Sequence, residues 1–157
     1  MTQPPAPQPA GVAGEPPLSQ PFYGASFGQA FSRFWKKYAT FTGRASRSEF
    51  WWWYLANVIV VGVLYALTAI LGFSGATIDA TTGTTVPGPL FVVGSSLLGL
   101  WGLAVLIPSL ALAWRRLHDT NRSGGFWFLG LIPFVGWIIL LVFYVSDSNP
   151  QGARFDV

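Results

Sequence analysis

Three uninterrupted apolar runs constrain this chain more than anything else in it. Residues 51–73, 90–114 and 126–145 contain no Asp, Glu, Lys, Arg or His, and each is about 20 residues or longer. That is the length a helix needs to cross roughly 30 Å of hydrocarbon. A backbone in lipid must satisfy its own hydrogen bonds, so such runs are read as helices. The composition agrees: 52% of the 157 residues are hydrophobic and only 10% charged, against about 25% charged in a soluble domain. Eight tryptophans and thirteen phenylalanines add the aromatic excess typical of membrane boundaries. The predicted fold is therefore an all-α integral membrane protein with three transmembrane helices at about 50–73, 90–117 and 125–145.

Two segments precede the first run. Residues 1–25 hold seven of the twelve prolines and one charge, Glu15, and read as a disordered tail. The tail has neither the basic start nor the apolar core of a signal peptide. The membrane domain, 26–157, opens with an amphipathic helix predicted over 26–41. Phe27, Phe31, Phe34, Trp35, Tyr38 and Phe41 recur at helical spacing, with Gln29, Ser32, Arg33, Lys36 and Lys37 opposite. Ser26 and Gln29 have the spacing of a capping box. The helix is too short and polar to span, so it is expected to lie in the interface with its basic face toward anionic lipid.

Lysine and arginine placement sets the orientation. Arg33, Lys36, Lys37, Arg44 and Arg47 precede the first run, the loop 74–89 has none, 115–125 has Arg115, Arg116 and Arg122, and the C-terminal tail has Arg154. A cytoplasmic N-terminus puts eight of these nine inside, and three spans then put the C-terminus outside. The net charge of +3 is thus a topology signal, and nucleic-acid binding is not expected. With no cysteine and one histidine, thiolate and histidine-cluster metal sites are excluded, and no metal or cofactor is expected.

The polar residues gather in two stretches on the predicted cytoplasmic side. In "GRASRSEFWWW" (43–53), Ser46 and Glu49 again have capping-box spacing. In "RRLHDTNRSGG" (115–125), Arg115 and Asp119 are i,i+4 neighbours able to pair, and Ser123 suits the cap of the next span. His118 beside Asp119 is weak evidence for catalysis, because adjacent residues on a helix point in different directions, so no catalytic residue is assigned. One inter-helix pair between the two stretches, Glu49 with Arg116, is expected. Asn57, Pro108 and Pro133 fall at a similar depth, roughly 10 Å below the cytoplasmic edge. Each proline frees a carbonyl one turn earlier. Asn57 is expected to satisfy one of these, with the kinked helices opening a shallow pocket lined at its mouth by Arg44, Arg47, Arg115, Arg116 and Arg122. Ser95, Gly99, Gly102, Ser109 and Ala113 form a stripe of small residues that lets another helix approach. Three spans bury little surface among themselves, which leaves room for a homo-oligomer.

The two polar stretches also carry a resemblance. "FTGRASRSEFW" (41–51), "RRLHDTNRS" (115–123) and "PFVGW" (133–137), in that order, resemble the bacterial inner-membrane family called domain of unknown function 805. The likeness covers about residues 28–155, and the ending "GARFDV" departs from it at Asp156, where glycine is usual. The resemblance implies a multi-pass protein of the bacterial plasma (inner) membrane and marks Gly43, Arg44, Arg47, Glu49, Arg115, Arg116, His118, Asp119, Arg122 and Ser123 as characteristic positions. It implies no activity. The reading that follows is a non-enzymatic membrane protein whose arginine-rich cytoplasmic face binds lipid headgroups, anionic ones by preference, or a protein partner. A transporter or channel subunit is the second reading, although no run holds the charged residues of a coupled ion pathway. A surface enzyme acting on lipid headgroups through Glu49, His118 and Asp119 is the third.

Overall fold

The computed structural model describes residues 14–156. Its helices are α1 (Phe27–Lys36), α2 (Arg47–Phe73), α3 (Phe91–Asp119) and α4 (Val135–Val145). Two 3-10 segments, Gly124–Leu131 and Pro150–Phe155, flank α4. A two-stranded hairpin, β1 (Thr77–Ile78) and β2 (Thr85–Val86), links α2 to α3, with Thr77 opposite Val86 and Ile78 opposite Thr85.

α2 and α3 are the frame. With 27 and 29 residues they are about 40 Å and 43 Å long at 1.5 Å per residue, enough to cross hydrocarbon. α2 starts where its sequence signals it, because the Ser46 hydroxyl takes the Glu49 N–H and the Glu49 carboxylate takes the Ser46 N–H. The two helices run antiparallel and touch along their length. Near one end, Trp53 Nε1–H reaches the Ser109 hydroxyl at 3.4 Å; further in, Trp101 Nε1–H donates to Asn57 Oδ1 at 3.0 Å. Toward the other end a Cβ on Gly94 would lie 2.6 Å from the Thr68 Cα, so glycine is what lets the backbones approach there. Of the predicted small-residue stripe, Ser109 and Ala113 face this packing, while Cβ atoms on Gly99 and Gly102 would meet nothing within 4 Å.

Pro108 lies buried inside α3 and removes the hydrogen bond to the Ala104 carbonyl. The expectation that Asn57 fills that vacancy is corrected: Asn57 is held by Trp101, and the Tyr38 hydroxyl donates to Ala104 O at 2.8 Å. Tyr38 arrives from α1, which is shorter than the predicted 26–41. Its Ser26–Gln29 capping box forms, but the helix ends at Lys36. The apolar face of α1 packs on α2, with Phe34 stacked on Trp53 at 3.3 Å between centroids. Its polar face is divided: Arg33 and, just past the helix end, Lys37 are each 1% exposed and turned in toward Glu49, while Gln29, Ser32 and Lys36 stay exposed. The expected disordered tail is corrected in part. Residues 1–13 lie outside the described residues, but 14–25 fold back over α1, where the Arg33 guanidinium donates to Pro16 O at 2.8 Å and Gln20 O at 2.6 Å. The tail's backbone carbonyls compensate a buried cation, which composition alone does not reveal.

The third apolar run does not form the one continuous helix expected over 125–145. It breaks at Pro133–Phe134 and folds into a hairpin whose two limbs are the 3-10 segment Gly124–Leu131 and α4. Phe134 has φ 60° and ψ −64°, and Val135 N–H donates to Pro133 O at 2.7 Å, the rare γ-turn of positive φ. Trp137 Nε1–H closes the turn on Gly130 O at 2.8 Å. Limb lengths match, since eight residues at about 2.0 Å and eleven at about 1.5 Å both give about 16 Å. Both ends return to one level of the frame: Phe128 packs on Trp114, and the α4 end bonds Arg116 and Arg47. The chain then closes on the same end, with Gly43 N–H donating to Phe155 O at 2.7 Å and Asn149 N–H to Asp119 O at 2.8 Å. Three crossings would have placed the two described chain ends at opposite ends of α2 and α3; here both pack at the same end. Two helices are long and apolar enough to cross a membrane, and the third run is folded double beside them.

A single-cysteine scan in intact cells is expected to find positions before Ser26 and after Asn149 labelled from the same side of the membrane. Labelling from opposite sides would overturn the hairpin.

Candidate functional site

Two buried carboxylates organise the end at which these segments meet. Glu49, 3% exposed, accepts from Arg33 Nε at 2.7 Å and has Lys37 Nζ at 3.7 Å on Oε1; its Oε2 takes the N–H groups of Ser46 at 2.9 Å and Phe22 at 3.0 Å. Asp119, fully buried, accepts from Arg116 Nη1 at 2.6 Å and from the Ser148 hydroxyl on Oδ2, and from the Tyr23 hydroxyl at 3.0 Å on Oδ1. Arg44 Nη1 stands 3.8 Å from the same carboxylate. Each acid therefore draws on several chain segments, and each buried charge is paired and hydrogen-bonded as burial requires.

The expected pairs form with different partners. Arg116, not Arg115, pairs with Asp119, at i,i+3 instead of i,i+4. Arg115 folds back to donate from Nε to Ala111 O at 3.1 Å, is 1% exposed, and its Nη2 has no hydrogen-bond partner among the described residues. Glu49 does not meet Arg116, which instead donates to the Tyr144 and Ser146 carbonyls and so neutralises the C-terminal end of α4. The two polar stretches do touch, through Ala45 N–H on Arg115 O at 3.1 Å and His118 Nδ1–H on Gly43 O at 3.0 Å. Gly43 sits at φ 77° with its Cα side pressed on Ser19, where a Cβ would lie 2.5 Å from the Ser19 carbonyl oxygen. Only glycine fits that turn.

The five arginines expected together at the mouth of one pocket are engaged separately, and of them Arg47 alone lines the pocket beside Tyr23, Ser46 and Ser148. Arg115 and Arg116 are buried; Arg44 makes a bidentate pair with Asp156 at 2.8 Å and 2.6 Å; Arg122 lies 3.9 Å over the Phe143 ring. Ser123 caps as expected, taking the Gly125 N–H at 3.3 Å, but of a 3-10 segment. Arg47 is the exception. Its side chain is 52% exposed and meets Asp147, 87% exposed, at 2.9 Å. One turn away a groove of about 420 Å³ opens between α2 and α4, lined by Phe50, Trp51, Tyr54, Trp137, Leu140 and Tyr144.

Charge at this end is tuned by burial. Desolvation pulls the Lys37 ammonium from its ordinary 10.5 down to about 8, against the pull of Glu49. The Asp156 carboxylate holds the Arg44 guanidinium above its usual value. His118 and Asp119 do not act as a pair. The histidine ring is stacked on Phe155 at 4.0 Å, its Nδ1–H is spent on a backbone carbonyl, and Asp119 faces the other way, into its ion pairs. Sequence reasoning missed Arg33, Lys37, Tyr23, Ser148 and Asp156 as members of this cluster. Asp156 alone left a trace, as the residue that departs from the expected ending.

All nine lysines and arginines of the chain lie at this end, and Asp79 is the lone charge at the other. Long uncharged helices crossing between such ends define an integral membrane protein. Residues 38–157 match the family described as "Protein of unknown function (DUF805)", and the chain belongs to that family. It is 36% identical over 120 residues to Inner membrane protein YhaI of Escherichia coli (strain K12), covering 76% of this chain and 86% of that one. To Inner membrane protein YhaH of the same strain it is 37% identical over 120 residues, covering 76% and 87%. No solved structure matches.

Lys37 gives a pH signature. Its folded pKa is depressed, so between about 8 and about 10.5 the unfolded chain binds the extra proton, and stability rises with pH across that window. Unfolding of wild type and Lys37→Met in detergent is expected to differ by such a rising slope. Parallel pH curves would show that Lys37 is not buried as described.

Proposed function

We propose that this chain is a non-enzymatic protein of the bacterial inner membrane, with both ends in the cytoplasm, that holds an anionic phospholipid of the cytoplasmic leaflet. The acyl chain lies in the groove between α2 and α4, and the phosphate sits at Arg47. The observation that carries this reading is an apolar, aromatic groove opening beside a half-exposed arginine. Among the described residues Asp147 is the one carboxylate on that arginine, and it is itself almost fully exposed. An exposed ion pair contributes about 0–1 kcal/mol, so a phosphate can take the place of Asp147 on the guanidinium fork. The volume lies within the usual range of ligand sites, roughly 300–1,000 Å³. The inward orientation is supported by the positive-inside rule, which two crossings satisfy with all nine basic residues. The other arginines first considered for headgroup binding are occupied within the protein.

An enzyme is disfavoured because Glu49 and Asp119 are enclosed in ion pairs and His118 is stacked and bonded. A channel is disfavoured because Trp53, Asn57 and Trp101 fill the space between the crossing helices.

Native mass spectrometry of protein released with its native lipid tests the site. Wild type and Arg154→Ala are expected to retain one anionic phospholipid, and Arg47→Ala to lose it. Equal retention in all three, or none in wild type, would overturn the reading.

A further inference from the structure

We infer that the molecule is a membrane wedge: it fills more area in the leaflet at its charged end than in the other, and so favours a bilayer that bulges toward that end. The wedge is made by the hairpin and needs no lipid held at Arg47. Each limb reaches about 16 Å, and the hydrocarbon is about 30 Å thick, so the tip stops near the midplane. The half of the bilayer next to the charged end therefore contains α2, α3, both hairpin limbs and the aromatic face of α1. The other half contains α2 and α3 alone. A helix about 10 Å across occupies about 80 Å², so the two limbs add about 160 Å² to one leaflet.

The side chains fit immersion at that depth. Leu131, Phe134, Val135, Trp137 and Ile138 are 60–79% exposed, and residues 126–145 hold no Asp, Glu, Lys, Arg or His to draw the hairpin back to water. The limb ends are fixed instead. Arg116 holds the end of α4 through the Tyr144 and Ser146 carbonyls, and Trp114 packs on Phe128 near the start of the 3-10 limb. The hairpin thus cannot swing out and lie flat, and the inserted area cannot be shed. Material placed in one leaflet of a closed bilayer is accommodated by curvature, as for helices lying in an interface. A permanently anchored hairpin does this without a binding equilibrium.

The test uses the full chain in vesicles of pure phosphatidylcholine, which removes anionic lipid and with it the Arg47 reading. The protein has no cysteine, so Gln151→Cys places one label at the charged end. A membrane-impermeant maleimide then reports the fraction with that end outward. In small vesicles the outward fraction is expected to exceed the inward one at least twofold, and in large vesicles the two are expected to approach equality. A ratio independent of vesicle size overturns the proposal. A bulky charged end could also bias orientation, so the background Phe134→Ala, Trp137→Ala, Ile138→Ala is compared, its helical content checked by circular dichroism. Loss of at least half the small-vesicle bias supports the hairpin as the wedge. An unchanged bias, with helicity preserved, overturns it.

Discussion

The fully buried carboxylate of Asp119 is the contact on which the rest of the molecule depends. An isolated charge in that position would cost several kcal/mol, so its partners must be present. They come from the N-terminal segment through Tyr23, from the turn before α2 through Arg44, from α3 through Arg116 and from the C-terminal segment through Ser148. Glu49 does the same for α1 and the residues before it. Apolar burial cannot do this work in lipid, where a leucine gains nothing by leaving hydrocarbon for protein. The charged end, at the edge of the bilayer, is where directional bonds decide the arrangement.

From this end the path of the third apolar run follows. Twenty apolar residues can cross a bilayer as one helix or fold double to half depth, and local hydrogen bonding serves either. Arg116 settles the choice, because the guanidinium that pairs with Asp119 also takes the carbonyls of Tyr144 and Ser146. The end of α4 must then lie beside the end of α3. Pro133 and the positive φ of Phe134 supply the turn that makes the return possible. The same closure brings Arg154 to the end that holds the other basic residues, where it donates to the Asn121 carbonyl.

Features with a short period in the sequence were legible. Both capping boxes form where Ser and Gln or Glu stand three residues apart, and two of the three runs form helices long enough to cross a membrane. The two polar stretches meet, as their shared side required. What sequence did not show were bonds between residues far apart in it: Arg116 to Tyr144, Arg44 to Asp156, Arg33 to the carbonyls of the tail. Choosing Arg115 over Arg116 as the partner of Asp119 was an error of one residue, about 100° around a helix, and both spacings are ones that helices use. Hydropathy counts how many residues suit hydrocarbon but not which way the chain is travelling, so the hairpin read as a span. The surplus of arginine looked like a binding face for the same reason. Residue type reports a charge, and only packing reports whether it is already compensated.

The coupling between Arg116 and Asp119 ties the end of α4 to the end of α3. A double-mutant cycle of Arg116→Met and Asp119→Asn, followed by reversible unfolding in detergent, measures it. The expected result is a loss of about 3–5 kcal/mol for Asp119→Asn alone, because Arg116 is left buried and unpaired, with part of that loss recovered in the double variant. A loss below about 1 kcal/mol for Asp119→Asn, additive with Arg116→Met, would contradict it.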